Sequence, residues 1–179
     1  MRTHVRYNFG NLIVGAVVYD SENELRTRIQ YAERATMLET EHDAPSVFLV
    51  LEGRRPGARE ISQCGLLCAQ VGVVPQLAPH PAEQLCWVGF DSSAMLISFA
   101  EPRCVATNTL EGLFWDFVPQ AGGSVVVSHE LGAVCLDSYA KPTWKMVGSD
   151  MLQRYRLTQG RIVCTYADGQ SQSHELIRD

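Results

Sequence analysis

Residues 85 to 99 read Leu85-Cys86-Trp87-Val88-Gly89-Phe90-Asp91-Ser92-Ser93-Ala94-Met95-Leu96-Ile97-Ser98-Phe99. Leu85 to Phe90 is a short, nearly continuous apolar run, and Met95 to Phe99 is a second. Between them stands Asp91-Ser92-Ser93-Ala94, a cluster of turn formers, so the stretch predicts a β-hairpin with both faces partly buried. The pattern recurs about 38 residues later: Val125 to Ser128, then His129-Glu130-Leu131-Gly132, then Ala133 to Asp137. Setting Trp87 on Val125 brings Ala94 onto Gly132 and Ile97 onto Cys135, a match of pattern that suggests a repeated supersecondary unit.

A third unit follows. Met151 to Leu157 and Arg161 to Tyr166 flank Thr158-Gln159-Gly160, and Ile162, Cys164 and Tyr166 share one face. Asp168-Gly169 then reads as a type I′ turn, because Gly supplies positive φ without strain. The tail is expected to be an antiparallel meander.

Residues 125 to 146 resemble one blade of a quinoprotein-type β-propeller: an apolar strand (Val125 to Val127), a turn containing Gly132, a strand ending in Leu136-Asp137, then a turn and Trp144. Residues 86 to 117 show a looser version ending near Trp115. Ala140-Lys141-Pro142 departs from the family pattern where a Gly is usual. The resemblance implies blade-like sheets, with Trp87, Trp115 and Trp144 as core residues at comparable positions. It implies no quinone cofactor.

The N-terminal half is less regular. Leu12 to Tyr19 and Glu24 to Tyr31 flank Asp20-Ser21-Glu22-Asn23, and Leu25, Thr27, Ile29 and Tyr31 alternate with polar residues, which favours a strand. Ser21 and Glu24 also form a capping box, with Leu25, Ile29 and Ala32 along a helical stripe, so a helix competes over 21–39. Ser46 to Leu51 is a strand ended by Gly53-Arg54-Arg55-Pro56-Gly57, and Ala58 to Gln70 fits either element. Pro75, Pro79 and Pro81 mark a loop, and any internal division falls near 72–84. The fold class expected is all-β or mainly β, with antiparallel hairpins forming a sandwich or roll over residues 1–179, blade-like units in the C-terminal half and at most one or two short helices.

At 179 residues, 46% of them hydrophobic and 20% charged, the chain can bury one core without staples. A net charge of −5 supplies no general field for nucleic acid or anionic lipid. No apolar run reaches the length of a membrane span, and the N-terminus lacks the pattern of a signal peptide, so a cytoplasmic protein is expected. Six cysteines then read as reduced thiols, with Cys86, Cys135 and Cys164 in apolar strand settings.

Specific chemistry is sparse. Cys64, Cys68, His80 and Cys86 offer the right ligand types for zinc, but the last two are too loosely paired for the common patterns, and buried thiols are preferred. His129-Glu130 and His174-Glu175 lack the following His of a zincin, and the Arg-rich loop at Gly53 to Gly57 lacks a phosphate-loop Lys. No catalytic, cofactor or metal residue is assigned. The candidate partner surfaces are an acidic stretch at Glu39, Glu41 and Asp43 beside Glu33, suited to a basic protein, and the turn at Arg54 and Arg55, with Arg59 nearby. The expected function is a non-enzymatic protein-interaction module, an immunity-type inhibitor or an assembly subunit, whose own oligomeric state the sequence leaves open. The alternatives are a small hydrolase or metal-dependent enzyme using Asp91, Asp116, His129 and Asp137 near turns, or a small-ligand site in a sandwich mouth.

Overall fold

Turn chemistry divides the chain into sheets. In the computed structural model, which describes residues 4–38, 45–69 and 75–176, β7 (Leu85–Phe90) and β8 (Ser93–Ser98) form the hairpin quoted above, closed by the pair Phe90 and Ser93. With β6 (Gln76–Pro79) and β9 (Arg103–Thr109) they make a four-stranded antiparallel meander, the second sheet. The third sheet repeats that order with β10 (Phe114–Pro119), β11 (Val125–His129), β12 (Gly132–Leu136) and β13 (Pro142–Val147). The fourth has three strands among the described residues: β14 (Leu152–Thr158), β15 (Arg161–Tyr166) and β16 (Ser171–Glu175).

The first sheet differs. It orders β1 (His4–Asn8), β2 (Ile13–Tyr19), β4 (Val47–Arg54), β5 (Ser62–Cys68) and β3 (Ala35–Met37), all antiparallel except the short parallel pairing of β3 with β5. The segment that fitted either element thus supplies a strand, over Ser62–Cys68. Residues 24–31, for which alternation favoured a strand, belong instead to α1 (Glu22–Gln30). The Ser21 hydroxyl accepts the Glu24 N–H at 3.3 Å, and Leu25 and Ile29 are buried against the sheet, each burial contributing about 1.5–3 kcal/mol. The helix prevails because the outer face of the first sheet, carrying Val17, Tyr19 and Val50, needs a cover that two helical positions four apart supply.

Layers then follow from alternation. Leu49, Leu51, Cys64 and Leu66 on the inner face of the first sheet meet Cys86, Val88, Met95 and Ile97 of the second. Trp87, Ala94 and Leu96 on the opposite face of the second sheet meet Phe114, Phe117, Val125 and Val127 of the third, and Val126, Ala133 and Cys135 meet Leu152, Ile162 and Cys164 of the fourth. The result is a stack of four sheets with a helix over one end. The outer face of the fourth sheet carries Arg154, Arg156, Arg161, Thr165 and Ser173 around Val163.

The repeat extends to the joints between layers. The Phe114 N–H at the start of β10 donates to the Asp91 carbonyl at the preceding hairpin tip, and Leu152 at the start of β14 donates to the Glu130 carbonyl at 2.6 Å. Leu110 to Ser92 and Gly148 to Leu131 form a second matching pair, at 2.8 and 2.9 Å.

Three details of the sequence reading change. The closing pairs Phe90 with Ser93 and His129 with Gly132 lie 39 residues apart, so Trp87 corresponds to Val126 rather than Val125. The three tryptophans occupy different strands: Trp87 is fully buried on β7, whereas Trp115 on β10 and Trp144 on β13 are half-buried beside the fourth sheet. The type I′ turn is Gln159-Gly160, at φ +49° and +75°. At Asp168-Gly169 the glycine alone has positive φ, and Tyr166 N–H bonds to Gln170 C=O across a longer loop.

Candidate functional site: the open edge of β1

β1 reads His4-Val5-Arg6-Tyr7-Asn8, and β2 is its sole partner strand among the described residues. The register pairs Val5 with Ala16, Arg6 with Gly15 and Tyr7 with Val14, and Phe9 N–H donates to Leu12 C=O at 2.9 Å just beyond the strand. That bond makes Phe9 and Leu12 a hydrogen-bonded pair, and antiparallel pairs alternate. Tyr7 and Val5 therefore turn their backbone groups toward β2, and Arg6 and Asn8 turn theirs to the open edge.

A cleft lies on each face of this edge. Toward the second sheet, Tyr7, Ala16, Val18, Val47, Leu49 and Leu77 are among the residues lining an apolar cleft of about 360 Å³ between the two sheets. It lies where β1 and β2 extend past β6, the edge strand of the second sheet among the described residues, so that Tyr7, Ala16 and Val18 are only partly covered while Val14 is fully buried. On the opposite face the nine-residue helix covers only part of the sheet, and Arg6, Ile13, Gly15, Glu52, Arg54 and Ile61 line a cleft of about 340 Å³. Val5, 45% exposed, borders both clefts.

The second cleft has an electrostatic bias. Glu52 is occupied from the far side, its Oε1 accepting from Gln63 Nε2 at 2.6 Å and Arg28 at 3.3 Å. Arg6 and Arg54 make no ion pair with a described residue. Gly15 between Arg6 and Glu52 leaves the floor open, so two guanidinium groups face a solvent-filled groove.

Of the sequence-derived candidates, Glu39, Glu41 and Asp43 lie outside the described residues. Arg54 enters the cleft beside Arg6, and it also borders a polar cleft of about 320 Å³ with Arg55, Arg34, Ser62 and Gln84. Arg55 is held there by Glu83 at 2.9 Å and by the Gln84 amide oxygen at 3.0 and 3.1 Å. Arg55 does sit on the solvated turn, its carbonyl accepting the Ala58 N–H at 3.1 Å, whereas Arg54 does not. Arg54 is the last residue of β4, and its alternation places it on the helix side of the sheet.

The residues considered for hydrolytic or metal chemistry are dispersed. Asp91, 4% exposed with φ +46°, accepts the Ala69 N–H at 2.7 Å and joins the end of β5 to the β7–β8 tip. Asp116 accepts from the Tyr155 hydroxyl at 2.7 Å, and burial first, then this bond, push the tyrosine up to about 12. Asp137 caps a turn through the N–H groups of Tyr139 and Lys141, both at 2.8 Å, and His129 is buried at the β11–β12 tip. Cys64, Cys68 and Cys86 point into the core between the first and second sheets, and burial pushes the first two thiols up to about 12. His80 stands apart, its Nδ1 accepting from Ala82 N–H at 3.1 Å and its Nε2 meeting the Ser138 carbonyl at 3.2 Å. Among the described residues no three His, Cys, Asp or Glu side chains gather where a metal could bind.

The β1 site carries no motif, and the sequence reading did not select it. The signal available was the period of two in His4 to Asn8, with Val5 and Tyr7 on one side and Arg6 on the other. The class the fold defines is a helix-capped stack of blade-like antiparallel sheets. No family model and no curated protein matches the chain. Among solved structures it is similar to the crystal structure of the computationally designed Ika4 protein, with a TM-score of 0.48 and 8% identity over 80% of this chain and 98% of that one. No helix among the described residues is long and apolar enough to cross a membrane.

Proposed function

We propose that this protein is a non-enzymatic interaction module that captures an extended segment of another protein as an added strand at β1. The observation that carries the reading is a strand edge with no partner among the described residues, flanked by a cleft on each face. Strand addition uses this combination: the exposed main chain supplies affinity, and alternate side chains of the guest enter opposite clefts to supply specificity. An immunity-type inhibitor and an assembly subunit would both use such an edge. The proposal places the chain in the cytoplasm, where six unpaired cysteines remain reduced.

The test is a random-peptide selection against the whole protein, counter-screened with Arg6→Pro, which removes an N–H facing the open edge while leaving the bonds to β2, and with Val18→Arg, which fills the inter-sheet cleft. Enrichment of extended sequences that lose binding to both variants supports strand capture. Peptides that bind Arg6→Pro as well as the parent, or a selection that yields no binder, overturn it.

A further inference from the structure

The two clefts beside β1 differ in chemistry, and that difference specifies the guest. We infer that β1 selects a strand carrying an apolar–acidic–apolar triplet, with the acidic side chain directly opposite Arg6. This rests on the strand-capture reading and adds the recognition chemistry.

The register follows from the backbone. Arg6 directs both its N–H and its C=O to the open edge, so an antiparallel guest centres a hydrogen-bonded pair on it. Side chains of directly opposed residues share a face, which places the central guest residue beside the Arg6 guanidinium, in the cleft that also holds Arg54. Its neighbours on either side lie opposite Val5 and Tyr7 and turn into the apolar cleft floored by Val18, Leu49 and Leu77. A carboxylate at the centre meets the Arg6 guanidinium, which lacks an ion-pair partner among the described residues; Arg54, two strands further in on β4, adds positive charge to the same cleft, and Glu52 is already bonded to Arg28 and Gln63. A lysine at the centre would add a third cation.

The same charge argues against a second copy of this chain as the occupant. The antiparallel self-pairing with greatest overlap centres on Arg6 and sets it against its own symmetry mate, and like charges directly opposed destabilise a strand pair. Arg6 thus acts as a gatekeeper on an otherwise sticky edge while marking the edge for acidic strands.

The experiment uses three fluorescent nine-residue peptides, Thr-Val-Thr-Ile-Glu-Ile-Thr-Val-Thr and its versions with Gln or Lys for Glu, titrated with the full chain by anisotropy. The Glu peptide is expected to bind about twofold to fivefold more tightly than the Gln peptide, the range of an exposed cross-strand ion pair, and the Lys peptide more weakly still. Arg6→Glu should reverse the order of Glu and Lys, a readout that a misfolded variant cannot give. Equal affinities for the three peptides, or an order unchanged in Arg6→Glu, overturn the acidic specificity and leave strand capture standing. Absence of binding by all three overturns both.

Discussion

Single glycines set how closely the layers approach. A Cβ on Gly89 of β7 would lie 2.2 Å from the Phe114 ring of β10, and one on Gly53 of β4 would lie 2.2 Å from the Phe99 ring. Each aromatic ring packs directly on the glycine backbone of a neighbouring sheet because no side chain intervenes. Gly89→Ala is expected to cost about 1–3 kcal/mol through overpacking, read as a lower urea midpoint with unchanged slope. Gly89→Ala with Phe114→Leu should lose less than the sum of the two single changes, since both act on one contact. At this scale the sequence was informative about burial: Cys86, Cys135 and Cys164 were expected inside and are buried. It did not reveal that Gly89 faces a ring 25 positions further along the chain.

Elements were legible where turn chemistry and apolar patterning agreed. The hairpins of the second and third sheets and the final meander stand where sequence placed them. The helix at Glu22–Gln30 was the ambiguous element, because Leu25 and Ile29 satisfy both a period of two and a spacing of four. Its cap now gives a quantitative expectation. Ser21→Ala should destabilise by about 1 kcal/mol, whereas Ser21→Asp should retain stability, measured by thermal or urea unfolding. Equal loss in both variants would show that the cap bond to Glu24 is not what anchors the helix. The β1 edge belongs to this scale too, since the proposed strand capture depends on β1 having one neighbour among the described strands, a property of strand order that no local pattern encodes.

Across the whole molecule, two buried histidines sit at joints of the stack. Burial lowers the pKa of His80 in the contact with Ser138 of the third sheet, and burial likewise lowers that of His129 at the β11–β12 tip. Both therefore take up a proton at lower pH in the fold than in the unfolded chain, whose histidines titrate near the ordinary value of about 6.5. Unfolding binds protons in that window, so stability is fully present above it and falls as pH drops below about 6.5. The urea midpoint should be lower at pH 5.5 than at pH 7.5, with the difference reduced in a His80→Gln, His129→Gln double variant. A midpoint that is flat or rises over that interval would contradict the assignment.

The sequence by itself determined the β class, the hairpin repeat and the thiol-rich core, because alternation, turn residues and apolar runs act over a few neighbouring positions. Tertiary structure alone decided the face-to-face order of four sheets, the choice of helix over strand at Leu25 to Ile29, and the clefts beside β1. A cleft is the space left where β1 and β2 overhang a second sheet and where a short helix stops. Its depth depends on distances between residues such as Val18 and Leu77, set by the packing of layers that local sequence does not describe.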